Sequence, residues 1–421
     1  MTGNNSGNIN RRRLLQAGAV IGGAQLAAPY LQVARASDVV KIGMDNPLTG
    51  TYAALGKNEQ IGAKYAVEQL NAKGGILGRE VELLVEDSTS GDAGVAVQKA
   101  RKLIDRDQVN FILGNINSSL AQAIANVANE KGVFNVDPGG HTDSITGKNC
   151  HWNTFRVCNT TATEGAAIAN VLVKNMGKKF YYLVPDYSFG HTLAAGVENA
   201  AAKVGGIKVG EALTPLGTTD FSSYLIKAQA ANPDVIIVLQ QGDDGVNVLK
   251  QIVQFGLQKR FHIAGAQLEL EVLLGLPPDA RIGTWVFEWY YKQPNVPHVN
   301  EFVAAIRKRS GGHVPTARTY FGHTAVMTCA LAAEQAKSLD AVKMAKAMQG
   351  FKLPPEISLM PDGAFYRAGQ NQMIGDLYVG HAQSHGKDDP EDLFVVEHVV
   401  NGKDVSPTLA ETECHMTWPK V

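Results

Sequence analysis

The chain has 421 residues, of which 45% are hydrophobic and 19% charged, and its formal net charge is −1. This is ordinary globular composition with no field of one sign, which excludes recruitment by nucleic acid or an anionic membrane surface through bulk charge. Four cysteines, Cys150, Cys158, Cys329 and Cys414, with no C-x-x-C pair, are too few for a disulfide scaffold, although one pair can bridge in an oxidising compartment.

The N-terminus reads as an address. Asn10-Arg11-Arg12-Arg13-Leu14-Leu15-Gln16, a weakly apolar run over 17–31, and Ala34-Arg35-Ala36 have the layout of a twin-arginine export signal with an A-x-A cleavage site. The apolar run is interrupted by Gly18, Gly22, Gly23, Gln25 and Pro29 and is shorter than the ~20 apolar residues of a membrane span. The mature chain is therefore expected to start at Ser37 and to be soluble in a bacterial periplasm. Its roughly 385 residues suffice for two or three domains.

From Val39 onward, β-branched runs alternate with helical stretches. Strands are expected at 39–43, 81–86, 111–114 and 133–136, with helices at 61–73, 94–105 and 119–131. Past 155–157 a second series begins. Helices at 165–176, 193–204, 224–231 and 245–255 alternate with strands at 180–184, 207–209, 235–239 and 262–264. This βαβ rhythm is that of open parallel sheets wound on both faces, and the two series look like two lobes of similar build. Beyond 285–297 the spacing predicts helices at 299–309 and 319–336 and a late strand at 393–396.

Ligands in open α/β sheets sit outside the carboxyl ends of the strands, so the loops there hold the candidates. In Asn117-Ser118-Ser119 a serine hydroxyl stands beside unpaired N–H groups at the positive end of a helix, where a carboxylate is held. The plain alternative is a helix cap. Gly139-Gly140 leaves backbone open to close approach. His141 follows with no second histidine or cysteine at metal spacing, so no metal site is expected. The chain has no G-x-S-x-G, H-E-x-x-H or G-x-x-x-x-G-K-[ST] pattern, which removes those routes to catalysis. Gly74-Gly75-Ile76-Leu77-Gly78 reads as a turn, because a strand and not a helix follows it. Glu269 and Glu271, two apart, fall on different sides of a helix and are expected to be solvated.

Taken in order, these pieces resemble one family over essentially the whole mature chain: the type I periplasmic binding proteins of the branched-chain amino acid and amide class. The residues that carry the likeness include Pro47-Leu48-Thr49-Gly50, Asn71 with Gly74-Gly75-Ile76 and Gly78-Arg79, Asp87, Thr154-Phe155-Arg156, Asp186-Tyr187 with Gly190, and Asp220-Phe221-Ser222. The resemblance implies an α/β fold of two doubly wound, Rossmann-like lobes joined by three crossings. The lobes would be discontinuous, 38–155 plus 290–355 and 156–289 plus 356–421. It implies a receptor with no catalytic activity and no cofactor, handing a small solute to a membrane permease driven by a separate ATPase subunit. A sensory receptor of the same fold is the alternative. A nicotinamide-dependent enzyme is suggested only by the α/β rhythm and lacks the fingerprint.

The same resemblance implies a ligand carboxylate held by Asn117-Ser118-Ser119 and by Gly139-Gly140-His141. The acid that pairs with an α-ammonium in leucine-type relatives falls on Gln267, the second-lobe aromatic on Phe189, and another tyrosine position on Gln241 or Gly242. Asp243 is a substitute acid or a helix cap. A buried ammonium without a carboxylate is costly, so the pocket is expected to suit a carboxylate with an apolar or aromatic remainder, ahead of a branched-chain amino acid or amide. Tyr52, His141, Phe189, Trp289 and Tyr290 are candidate ring faces, with core packing the alternative for the last two. Some relatives carry one cysteine after a T-G-K turn and one near the C-terminus, which implies a Cys150–Cys414 bridge. Cys150–Cys158 is the runner-up, and Cys329 a buried thiol.

Overall fold

A computed structural model describes residues 39–293 and 295–420; the expected export signal lies outside the described residues. Two parallel sheets organise the chain. The first contains β1 (Val40–Asn46), β2 (Val81–Asp87), β3 (Phe111–Leu113), β4 (Phe134–Asp137) and β5 (Thr154–Arg156), in the order β2-β1-β3-β4-β5. Helices α1 (Ala53–Ala72), α2 (Ala93–Arg101) and α3 (Ser118–Lys131) connect the first four strands.

The second sheet repeats that order. Strands β6 (Lys179–Pro185), β7 (Ile207–Thr214), β8 (Val235–Val238), β9 (His262–Gly265) and β10 (Thr284–Phe287) run β7-β6-β8-β9-β10 and are all parallel. Their helices are α4 (Thr161–Asn175), which leads into β6, then α5 (Ser188–Ala202), α6 (Ser222–Ala230), α7 (Gly242–Gln254) and the short α8 (Leu270–Leu274). All four residues of β8, Val-Ile-Ile-Val, are buried, as expected of a parallel strand covered on both faces.

After β10 the chain returns to the first lobe. Helices α9 (Val299–Arg309), α10 (Ala317–Ala336) and α11 (Ala341–Ala347) follow, and α10 packs along α1 and against β3 and β4. A small ribbon, β11 (Phe365–Tyr366) with β12 (Met373–Ile374), precedes β13 (Leu377–Ala382) and β14 (Phe394–Val400). These last two extend the second sheet antiparallel from β10. No helix among the described residues is long and apolar enough to cross a membrane.

Two differences from the sequence reading have physical causes. Helix α1 starts at Ala53, well before 61, because its first turns bury Glu59 and present polar residues that break the apolar period. Strand β13 went unread because it carries Gly380 and His381 in an otherwise short run. Helices α1 and α10 cross closely on two glycines: a Cβ at Gly62 would lie 1.8 Å from Thr319 O, and one at Gly322 would lie 2.0 Å from Glu59 O. That approach sets Glu59 beside Arg318.

Cys150 and Cys414 form a disulfide closing a separation of 264 residues, while Cys158 and Cys329 are buried free thiols. Peptide mapping under non-reducing conditions is expected to recover Cys150 linked to Cys414. Recovery of both as free thiols from oxidised protein would refute the bridge.

Candidate functional site

Strand order reverses between β1 and β3 in the first sheet and between β6 and β8 in the second, which are the crevices where doubly wound sheets bind ligands. Tyr52 follows β1, Ile116 follows β3, and His141 lies in the loop after β4. From the other lobe, Tyr187 and Phe189 follow β6, Gln241 follows β8 and Gln267 follows β9. With Leu55 on α1 and Arg318 on α10 these residues line one cavity. About 220 Å³ of atom-free space lies between them, part of it open to solvent, which is less than the roughly 300–1,000 Å³ usual for a ligand pocket.

The lobes meet directly across this cavity. Tyr52 Oη lies 2.6 Å from Tyr187 Oη, and Ser119 Oγ 3.0 Å from Ser188 Oγ. His141 Nε2 is 2.6 Å from Glu288 Oε2, and Arg318 donates to Glu269 from Nη2 and to Glu59 from Nη1 at 3.3 Å. The rings of Tyr52, Tyr187, Phe189 and His141 form a chain with successive centroids 5.9–6.5 Å apart, within the range of favourable edge and tilted contacts.

Of the residues expected at the site, Tyr52, His141, Phe189, Gln241 and Gln267 are brought together. The others stand beside the lining, and each has work elsewhere. Asn117 caps α3, accepting from Ser119 N at 2.9 Å, and donates to Ser90 O. Ser118 is the first helical residue, and its hydroxyl accepts from the N–H groups of His141 and Thr142 at 3.0 and 3.2 Å. It therefore pins the histidine loop. The N–H groups of Gly139 and Gly140 bond Asp137 Oδ1. Gly139 also lets Arg318 approach, since a Cβ there would be 2.8 Å from Arg318 Nη1.

Three expectations are corrected. Asp243 is exposed, and the inward acid is its neighbour Asp244, which accepts from Gly217 N at 2.9 Å. Trp289 and Tyr290 belong to the core: Trp289 stacks on Tyr320 at 5.3 Å and donates to Leu359 O, and Tyr290 donates to Asp392. Glu269 is not solvated but 2% exposed against Arg318, and Glu271 accepts from Asn58 and Thr316. Glu269 is the extended residue ahead of α8, so helical spacing did not apply to it.

Behind the lining sits a dense set of buried ionic groups. Burial pushes Glu59 up to about 8, with Arg318 and Asn46 only partly offsetting it. Burial also raises Glu164 strongly, reinforced by Glu288 and Glu269. Burial acts on Glu288 in the same sense, but the adjacent His141, Arg318 and the N–H of Asn159 outweigh it and hold Glu288 down to about 2. Arg156, fully buried, donates to Gly140 O and Thr142 O and so braces the loop that carries His141. Sequence reasoning missed Arg318, although it is the one Asp, Glu, Lys or Arg between 317 and 333 in a helix with 15 buried residues.

Two lobes of equal strand order, with aromatic and polar side chains converging on the crevice between them, have the arrangement of a binding protein for small ligands. The chain belongs to the periplasmic binding protein family, whose sequence model matches residues 39–387. It is similar to Leu/Ile/Val-binding protein homolog 1 of Brucella abortus, 26% identical over 83% of this chain and 91% of that protein. An amino acid ABC transporter substrate-binding protein from Pseudomonas fluorescens has a similar structure, with a TM-score of 0.79 and 27% identity over 90% of this chain and all of that one. A solute-binding protein of an ABC transporter from Rhodopseudomonas palustris, in complex with 3,4-dihydroxybenzoic acid, shares the fold. Its TM-score is 0.77 and its identity 23%, over 87% of this chain and 98% of that one.

Proposed function

We propose that the protein is the exported solute receptor of an ABC importer, and that its lobes, divided near 155, 290 and 355, close on a small carboxylate with a ring or apolar body. One observation carries the ligand class: Arg318 lines the cavity, is 2% exposed, and its Nε has no hydrogen-bond partner, while no carboxylate is among the lining residues. A buried guanidinium donor without a partner costs free energy that a ligand carboxylate recovers. Tyr52, Tyr187, Phe189 and His141 supply faces for a planar remainder. The cavity is too small for such a ligand as it stands, so binding requires the lobes to part and re-close around it. Delivery to permease and ATPase subunits, and a twin-arginine route of export, belong to the same reading.

An α-amino acid is the second reading, favoured by Gln267. Its Oε1 has no partner, and its Nε2 lies 3.1 and 3.3 Å from carboxylate oxygens of Glu269 and Glu288, so acids stand just behind the amide. Calorimetric titration against benzoates, aliphatic acids, α-amino acids and neutral amides separates the readings. Aromatic and aliphatic acids are expected to bind, and Gln267→Glu is expected to weaken them by about tenfold or more through the added charge. Amides binding as tightly as their parent acids would overturn the carboxylate reading, and tighter amino acid binding by Gln267→Glu would replace it with the second.

A further inference from the structure

We propose that His141, Glu164 and Glu288 form a site for one divalent transition-metal ion of the zinc type, adjoining the ligand cavity. One ligand atom from each residue lies within 4.8 Å of those from the other two. His141 Nε2 is 2.6 Å from Glu288 Oε2 and 3.5 Å from Glu164 Oε1. In a tetrahedral zinc site, donors about 2.1 Å from the ion stand about 3.4 Å apart. The His141–Glu288 pair therefore needs to open by about 1 Å to take an ion. An imidazole with two carboxylates is a donor set that suits zinc and its neighbours better than calcium or magnesium, which prefer oxygen alone.

The second, independent observation is Glu164. It is fully buried on α4, and neither of its carboxylate oxygens has a hydrogen-bond partner. A buried carboxyl group with nothing to bond is expensive, and an ion held between the three side chains gives it a partner. The surroundings hold the other two donors in place. Glu288 Oε1 accepts from Asn159 N at 2.6 Å, which leaves Oε2 turned to the histidine. Ser118 pins the backbone of His141. Such outer contacts orient metal ligands and tune their affinity.

The placement has a functional consequence. His141 lies in the loop after β4, Glu164 on α4 and Glu288 just after β10, so an ion bound by all three ties the first sheet's loop to the second lobe. Three protein donors leave a fourth position on a tetrahedral ion, and His141 lines the cavity, so that position is open to a carboxylate from the solute. The sequence hid this trio because its members lie 23 and 147 residues apart, far outside any local metal spacing.

The test uses the mature chain without a histidine tag and without organic ligand, so its outcome is independent of the solute reading. Zinc chloride titrated into chelator-stripped protein is expected to bind at one equivalent and to raise the thermal midpoint. Glu164→Gln, which keeps the shape but cannot give up a proton to bind the ion, is expected to weaken uptake by more than about tenfold, and His141→Gln likewise. The unfolding midpoint of the stripped variants confirms that they are folded. Wild-type protein that takes up no zinc would overturn the proposal, and so would undiminished uptake by folded Glu164→Gln, because the ion would then sit at exposed histidines such as His191 or His313.

Discussion

Replacing Arg318 with methionine is expected to weaken binding of carboxylate solutes by about thirtyfold or more and to destabilise the fold by about 3–5 kcal/mol, because it leaves Glu269 buried without its guanidinium partner. The guanidinium now bonds both acids while lining the cavity. Removing a buried, hydrogen-bonded partner of a ligand charge costs about 2–5 kcal/mol of affinity, or roughly thirtyfold to several thousandfold. Loss of stability and loss of binding are separable. The triple variant Arg318→Met, Glu59→Gln, Glu269→Gln removes the guanidinium together with the two acids it bonds, and such replacements are often neutral for stability; it is expected to refold without regaining affinity. Arg318→Lys keeps the charge and loses the planar fork, so it should fall between. Calorimetry beside urea unfolding measures both quantities. Unchanged affinity for acids in folded Arg318→Met would refute the assignment of Arg318 as the anchor.

Stability is expected to fall as pH rises from about 5 to 8. Glu59 titrates near 4.5 in an unfolded chain and is pushed up to about 8 by burial in the folded one. Below the unfolded value it is protonated in both states, and its contribution is intact. Above that value the unfolded chain releases the proton first, and the contribution is lost progressively until the pH reaches about 8. The full loss is on the order of 5 kcal/mol. Asp45 acts in the same direction, raised to about 8 by burial and by Glu86. Glu288 acts oppositely at the acid end: held down to about 2, it stabilises above the normal carboxyl range and loses that effect as pH falls toward 2. Glu59→Gln resembles the protonated side chain, so it should leave stability at pH 5 nearly unchanged and raise it at pH 8. Urea midpoints of both proteins at the two pH values test this. Identical slopes would show that Glu59 does not titrate in this window.

The fold was legible because parallel strands covered on both faces read as unbroken β-branched runs, as in Val235–Val238, and their intervening helices keep an apolar face. The loops at strand ends were therefore located, and with them Tyr52, His141, Phe189, Gln241 and Gln267. Charged groups buried on helices were not. Glu59, Glu164 and Arg318 sit on α1, α4 and α10, where a charged residue ordinarily marks a solvated face. Their burial depends on how those helices cross, which no local pattern records. Ser118 was found for a sound local reason, and its hydroxyl oxygen has a second task, accepting from a loop more than twenty residues away.

The Cys150–Cys414 link bears on how the chain oxidises. Four thiols can pair six ways, and a disordered chain meeting an oxidant would sample all of them. A chain that folds before meeting an oxidant has a shorter menu. Cys158 and Cys329 are then fully enclosed, and burial raises both thiols far above their ordinary range, which starves them of the thiolate that attacks. Cys150 and Cys414 remain at the half-buried edge, already positioned for one another. Shape would choose the pairing, and an isomerase would have no errors to correct.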